Sequence, residues 1–527
     1  MRSRQRAEGS SSVAVITPRY LIGFVGHRHG ISEARIRPAL RTALGHLQQH
    51  AAAAGGQTEL YGSVAEGSDI LGVEVARELN MPVHLLLPLV EEMFAQDFST
   101  PESWRRTQAQ VALARQRPGR DSVNLVPGVP TRPDCYFNQA MYMLEACDVL
   151  VAVWDGKSVR GIGGTREVMD QAERVGIPVV RIHAETGEVT YPDDLAAALG
   201  QDPLIDEISR IAKEARIACA GGPATAAQLQ ACLDELAIRE AGRFRPSLVL
   251  IILLHGLAAL LAALVTYGAP VESWFHCHRW IFTAIELLLV TSAFRMTLRL
   301  QKRHTQERWI RCRFACELVR GLRASIPLVD PLHPQVARHD PAWRRFALSA
   351  GLCALEHQPV TDPAALRDAY LATRLHDRHA ESQIAHFRSQ EHTASRRWKF
   401  TGLVGAWSAG LAPVFVFLAL LNKLSEHCRS GGGWHLDQNF GGWLLVAFLP
   451  IALPLLAGIA NGIREALDAG RRNHRYPSMV ARLTEIQTWL PGMRTRSTIR
   501  AAVLRSEEIL LEELVEWQLA MKNTGAH

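Results

Sequence analysis

The sequence predicts two fold classes in one chain: an α/β Rossmann-like parallel sheet in the amino-terminal part, and an all-α helical membrane domain with four transmembrane helices behind it. Two patterns lead there. Up to residue 182, short β-rich apolar runs alternate with helical stretches, the signature of a parallel sheet covered on both faces. In the second half, four long apolar runs fall into two close pairs, near residues 247–268, 280–300, 398–421 and 442–463. Each is about 20 residues, enough to cross a hydrocarbon core of about 30 Å. Backbone amides exposed to lipid have no partner outside their own helix, so all four are expected to be helical.

Taken in order, the first part reads as a strand over 20–25, a helix over 32–54, a strand over 58–61, a helix over 68–79 and a strand over 83–87. A longer irregular insert follows, then a helix near 136–146, a strand over 149–153, a helix over 165–175 and a strand over 178–182. Residues 1–12 are polar and basic without an apolar core, so the amino terminus is expected to start in the cytosol, and residues 1–19 are expected to be disordered. The remaining boundaries are an α/β domain over 20–200, a helical linker over 201–246, a first transmembrane hairpin with a basic inner helix over 247–325, a cytosolic helical region over 326–397, a second hairpin over 398–463 and carboxyl-terminal cytosolic helices over 464–527.

Orientation follows from Lys and Arg beside the spans. Arg243 and Arg245 precede the first run, Arg299, Lys302 and Arg303 follow the second, Arg396, Arg397 and Lys399 precede the third, and Arg464, Arg471 and Arg472 follow the fourth. Both hairpin loops are poor in positive charge, which places the loops outside and both termini inside. Cys277 and Cys428 fall in those outer loops and could form a disulfide bridge there. The 9 cysteines include no CxxC pair, and Cys312 and Cys316 read as packing residues, so no metal site is expected.

Within the spans, Glu286 is expected to face a bundle interior, water or a partner, because a carboxylate facing lipid costs a few kcal/mol. That makes it a pore candidate, against the plainer reading of a structural or headgroup-reaching Glu. Pro413, Pro450 and Pro454 are expected to loosen the third and fourth spans. Residues 363–397 read as one long polar helix entering the third span, with His376, His379 and His386 solvent-exposed on it. In the terminal helix Val503, Leu510, Leu514, Trp517 and Met521 form a coiled-coil-like seam, for the chain's own helices or for another subunit.

Candidate chemistry gathers at three strand ends, where ligands bind in such sheets. The first strand runs into Gly26, His27 and Arg28, a tight turn with a guanidinium able to fork onto phosphate. The second runs into Gly62 and Ser63, followed by Glu66, Gly67, Ser68 and Asp69 at a helix start. The strand over 149–153 runs into Trp154 and Asp155, then Gly161, Gly163, Gly164, Thr165 and Glu167 opening the next helix. Small residues at a helix amino terminus let N–H groups meet an anion. Each corner alone has a plainer reading: glycine serves the turn, Ser68 or Asp69 caps a helix, His27 contacts water. Together on one sheet edge they make a nucleotide-sized phosphate or ribose site.

Residues 20–182 resemble the SLOG superfamily, the Rossmann-like group of lonely-guy phosphoribohydrolases and the ligand-sensing regions of TRPM channels. The resemblance rests on Gly26-His27-Arg28, on Gly62-Ser63 with Gly67 and Asp69, and on Cys147 to Trp154 followed by Gly163-Gly164-Thr165 and Glu167. It implies a nucleotide-derived ligand, ADP-ribose-like or a cyclic nucleotide, with Gly163, Gly164 and Thr165 at a phosphate and Glu167 near a ribose. Hydrolytic members carry two adjacent glutamates; here Val168 stands in place of the second, which favours a sensor without catalytic residues and without a required cofactor. Residues 362–522, with Tyr370-Leu371, Trp398, two spans and the terminal helix bearing Glu508, Glu512, Glu516 and Trp517, resemble a SLATT domain.

These resemblances imply a ligand-gated membrane effector of a bacterial antiphage nucleotide-signalling system, multi-pass in the inner membrane, whose helices oligomerise to form a pore or disrupt the bilayer. The expected partners are lipid, a small nucleotide ligand and further copies of the chain. A membrane-anchored nucleotide N-glycosidase, with Glu167 and Asp155 or Glu66 assisting, is the alternative, and a non-conducting membrane scaffold is a third. The sequence offers no basic groove with interleaved aromatics, so no nucleic acid is expected.

Overall fold

The computed structural model describes residues 15–126, 131–157, 163–215, 225–266, 272–326, 328–356, 362–376, 382–428 and 440–523. They form two compact units. The first comprises residues 1–236, 314–366 and 495–516, and the second residues 237–313, 367–494 and 517–527. Each unit draws on distant parts of the chain, which a division into consecutive domains does not anticipate.

The first unit is built on a seven-stranded sheet of β1 (Arg19–Gly26), β2 (Gln57–Gly62), β3 (Val83–Leu87), β4 (Ser122–Leu125), β5 (Val149–Trp154), β6 (Val179–His183) and β7 (Val189–Thr190). The order is β4-β3-β2-β1-β5-β6-β7. All pairs are parallel except β6 with β7. β1, β3, β5 and β6 are mostly apolar, as strands covered on both faces are, whereas β2 carries Gln57, Thr58 and Glu59 and the edge strand β4 is mixed. On one face Tyr20, Ile22 and Phe24 pack with Leu40 and Leu44 of helix Glu33–Ala53 and Leu71 of helix Ser68–Glu78. On the other, Leu21, Tyr61, Leu86 and Leu150 pack with Met143 of helix Arg132–Leu144, Met169 of helix Thr165–Arg174, and Leu348 and Leu352 of helix Arg344–Glu356. The strand order reverses direction between β1 and β5, so the crevice at their carboxyl ends is the topological switch point.

Three features depart from the sequence reading. The described part of the insert carries regular structure, helix Pro101–Arg115 and the edge strand β4. Asp121 anchors that edge, accepting from Val83 N at 3.1 Å and pairing with Arg77 at 2.6 Å. Secondly, the disorder expected over 1–19 does not extend through its last residues. Val15 and Ile16 are buried, Val15 N donates to Ser209 Oγ at 2.8 Å and Arg19 opens β1, while residues 1–14 lie outside the described residues. Thirdly, helix Arg344–Glu356 closes one sheet face from far along the chain. Asp148 ties it down by accepting from Leu21 N at 2.9 Å while pairing with Arg344 and, at 3.2 Å, Arg345. Removing one partner of such a buried cluster costs about 3 to 5 kcal/mol. Asp148→Ala is therefore expected to lower the hydrogen-exchange protection of the β1 and β5 amides; unchanged protection would show that this carboxylate carries little of the load.

The second unit is helical. By length and composition, four helices among the described residues can cross a membrane, within Ala226–Val265, Trp280–Lys302, Gln383–Ser425 and Phe440–Gly492; they contain the apolar runs near 280–300, 398–421 and 442–463, and the first run as far as residue 265. Leu253, Leu257, Leu287, Phe294, Leu403, Trp407, Phe417 and Leu420 are exposed on them, far more apolar surface than a water-soluble helix leaves uncovered. Helix Gln383–Cys428 runs unbroken past Pro413. Ahead of Pro450 the backbone takes a π turn over Leu444–Phe448, which relieves the clash a proline imposes on the preceding turn. The helix expected over 363–397 is interrupted: after Pro363–Tyr370 and a π turn over Leu371–Leu375, His376 is extended at φ −75° and ψ 136°, and the next helix starts at Gln383. His379 lies outside the described residues, as do the side chains of Cys277 and Cys428.

Glu286 is half-buried in helix Glu272–Lys302. His255 Nδ1 is 3.0 Å from Ile251 O of its own helix. Val503, Leu510, Leu514, Trp517 and Met521 are all buried within the chain itself. In the second unit, Trp517 meets Trp309 edge-on at 5.3 Å.

The span within Ala226–Val265 approaches the one within Phe440–Gly492 through glycine. A Cβ on Gly256 would lie 2.3 Å from Ile459 Cδ1, and one on Gly462 3.5 Å from Ile252. Small residues at such crossings replace the hydrophobic drive that lipid removes. Gly256→Leu is expected to push these helices apart, abolishing disulfide cross-linking between cysteines introduced at Ile252 and Gly462. Persistent cross-linking would mean that Ile459 simply swings aside.

Candidate functional site

The carboxyl ends of β1, β2 and β5 converge on one cavity of about 80 Å³. Gly26 and Arg28 line it from the first corner, Ser63 and Asp69 from the second, and Gly163 and Thr165 from the third. Its remaining wall comes from helix Arg132–Leu144 through Tyr136, Gln139, Ala140 and Met143, with Phe24, Val25, Ala65 and Val168 beneath. Arg28 lies over the Tyr136 ring, 4.5 Å from its centroid, and the Tyr136 hydroxyl donates to Asp97. Sequence reasoning did not find this wall, because helix 132–144 reaches the sheet edge only through tertiary packing.

Glycines set the close approaches. Ser68 Oγ and N both bond His27 O, at 2.9 and 3.0 Å, drawing the second corner onto the first. A Cβ on Gly26 would lie 2.0 Å from that Ser68 Oγ. Gly67, at φ 92°, runs against the carbonyls of His27 and Arg28. Gly62 ends β2 against Phe24 O and is not part of the cavity wall. Gly164 caps helix Thr165–Arg174 without a side-chain bond to its first-turn N–H groups, which makes Thr165 a position suited to face an anion.

Ser63 and Asp69 in this cavity are only 7% and 8% exposed, yet among the described residues neither Ser63 Oγ nor Asp69 Oδ1 has a hydrogen-bond partner. Buried polar groups are nearly always bonded, so such a pair marks where water or a ligand belongs. Burial pushes the Asp69 carboxyl up to about 7, despite the pull of the Arg28 charge and the Gly26 amide. Ser63 lies close enough to temper that shift without reaching hydrogen-bond geometry. Near neutral pH the cavity thus holds one guanidinium beside a carboxyl that is partly protonated.

The other sequence candidates are engaged within the protein. Glu167 Oε2 accepts from Gly163 N at 2.7 Å, bracing its own loop. Glu66 accepts from Ser99 N at 2.9 Å and from the Ser99 hydroxyl, which hold its carboxyl below the usual range against the opposing push of burial. His27 Nε2 lies 3.0 Å from Asp155 Oδ1 and 3.1 Å from Asp155 N, joining the first and third corners. Trp154 donates from Nε1 to Lys157 O at 2.9 Å and lies under Arg166. Gly161 lies outside the described residues. Among the described residues no cluster of His, Cys, Asp and Glu is arranged to hold a metal ion.

The fold and this crevice define an α/β parallel-sheet protein with a polar cavity at its switch point and four helices fit to span a membrane. Compared with known families and curated proteins, the chain matches no family model and no curated sequence.

Proposed function

We propose that the chain is a ligand-gated membrane effector of SLOG and SLATT type, whose α/β unit receives a nucleotide-derived signal and whose spans respond to it. The observation that carries this reading is the convergence of three strand-end corners on one cavity containing Arg28, a helix amino terminus at Thr165, and two buried unpartnered polar atoms. A cavity of about 80 Å³ takes one compact group, such as a phosphate or part of a ribose, whereas whole-ligand pockets run to about 300 Å³ or more. Binding a full nucleotide therefore requires the site to open, and that rearrangement is the conformational difference through which a ligand could bias the spans. In this reading the protein sits in a bacterial inner membrane with both termini cytoplasmic, assembles with its own copies, and permeabilises the bilayer.

The N-glycosidase reading has less support, because Glu167, Glu66 and Asp155 are all tied to neighbours rather than presented to the cavity. Calorimetry of the full chain in lipid nanodiscs, with a panel of ADP-ribose-type and cyclic nucleotides, tests the receptor. Thr165→Asp is expected to weaken binding at least about 100-fold by placing an anion where phosphate belongs. Absence of binding across the panel rejects the proposal. Dye release from liposomes on ligand addition separates an effector from a scaffold, and base release from the nucleotide would restore the hydrolase.

A further inference from the structure

A second cavity of about 600 Å³ lies in the first unit against the other face and edge of the sheet, and one of its lining residues is Ser122 of β4. Behind that serine runs a line of polar side chains across three adjacent strands. Ser122 Oγ lies 2.9 Å from His84 Nδ1, His84 Nε2 lies 2.6 Å from Glu59 Oε2, and Glu59 Oε1 receives Arg19 Nη1 at 2.7 Å. His84 and Glu59 are buried in the sheet, while Ser122 is half-buried at the cavity. A buried ion pair is a costly way to join strands that apolar residues join well. A hydroxyl, an imidazole and a carboxylate bonded in series, with the serine lining a cavity, are the parts of an activated nucleophile.

We propose that Ser122, His84 and Glu59 form a nucleophilic relay that cleaves carboxylic esters bearing an anionic group. Against the opposing push of burial, His84 and Arg19 hold the Glu59 carboxyl below its usual range, so it is ionised and accepts the Nε2 proton. That tautomer leaves His84 Nδ1 as the acceptor for the Ser122 hydroxyl. Asn124, two residues along β4, places Nδ2 3.4 Å from Ser122 Oγ and can donate to a developing oxyanion. Arg496 and Arg500, one helical turn apart, add positive charge to the wall, beside Asp330, whose carboxylate accepts from Tyr142 at 3.0 Å.

In the first step the Ser122 Oγ to carbonyl-carbon bond forms as its proton passes to His84 Nδ1. The ester C–O bond then breaks, and the alcohol leaves with that proton. Water adds to the acyl-serine, giving its proton to Nδ1, and the acid departs as that proton returns to Ser122. The balance needs only ester and water. This cavity is separate from the switch-point site, so the proposal stands or falls independently of the nucleotide reading.

The test treats the full-length protein in detergent micelles with a biotinylated fluorophosphonate and maps the adduct by peptide mass spectrometry. A phosphonyl group is expected on Ser122, absent in Ser122→Ala with an unchanged melting temperature, and formed at least tenfold more slowly in Glu59→Gln. The p-nitrophenyl monoester of succinate is expected to react faster than that of butyrate, with the preference lost in Arg500→Ala. No adduct at Ser122 while a control serine hydrolase reacts in the same tube, or label only on other serines, overturns the proposal and leaves the relay as an interstrand tie. Equal reaction of the two esters overturns its anionic specificity.

Discussion

Gly67→Ala is expected to abolish nucleotide binding and to destabilise the sheet unit by more than about 3 kcal/mol. Gly67 stands at φ 92° and ψ −129°, a backbone conformation open in practice only to glycine. A methyl there would come within 2.3 Å of Arg28 O and 2.5 Å of His27 O. Both obstacles are backbone atoms, so no side chain can swing away and the turn over 26–28 must move as a whole. That turn supplies Gly26 and Arg28 to the cavity and receives the two Ser68 bonds, so stability and binding fail together. Gly30→Ala is the matched control: Gly30 also has positive φ, at 76°, but nothing lies within 4 Å of its Cβ position. It should cost about 1 kcal/mol of conformational strain and leave binding intact. Thermal unfolding and calorimetry of the two variants side by side separate the collision from the strain; equal behaviour would show that the turn yields without consequence.

The sequence pattern revealed those elements whose burial is uniform. β1, β3, β5 and β6 are mostly apolar, β2 is short and ends in Leu60, Tyr61 and a glycine turn, and all five appear within two residues of their expected bounds. The apolar runs are likewise helical where described, the fourth across a π turn, because lipid and core ask the same composition of a helix. β4 escaped because an edge strand of Ser122, Val123, Asn124 and Leu125 is half-buried and mixed in polarity. Helix Pro101–Arg115 was legible in principle: Thr100 accepts from Ser103 N at 3.1 Å and Pro101 opens the first turn, a capping pattern written in the sequence. What local pattern could not contain is partnership across long separations. Nothing near Glu66 points to Ser99, nothing near Asp148 points to Arg344 and Arg345, and nothing in helix 132–144 points to Arg28. The strand ends marked where the cavity lies, while tertiary contacts decided which of the nearby residues face it and which brace it.

Asp69→Asn is expected to change both stability and affinity with a pH signature that tests the cavity directly. The folded carboxyl titrates at about 7, above its ordinary 3.8, so the native state holds this proton more tightly than the unfolded chain. Its contribution to stability is fully present below 3.8 and is lost as pH rises through about 7, reaching a penalty on the order of 4 kcal/mol once the group is ionised. Asparagine keeps the shape and removes the titration. The variant should therefore gain stability over the parent at pH 8 by up to that amount and gain little at pH 4. Ligand binding should follow the same proton. ADP-ribose, whose pyrophosphate keeps a constant charge over this range, should bind the parent more weakly as pH rises above 7, by up to about tenfold per unit, because an anion is then placed beside a bare carboxylate. In Asp69→Asn that slope should vanish, leaving Arg28 and the amino terminus at Thr165 to set the affinity. If affinity instead grows with pH in the parent and collapses in the variant, the ionised Asp69 is accepting a hydrogen bond from the ligand. The group seated at the unpartnered Oδ1 is then a hydroxyl rather than a phosphate.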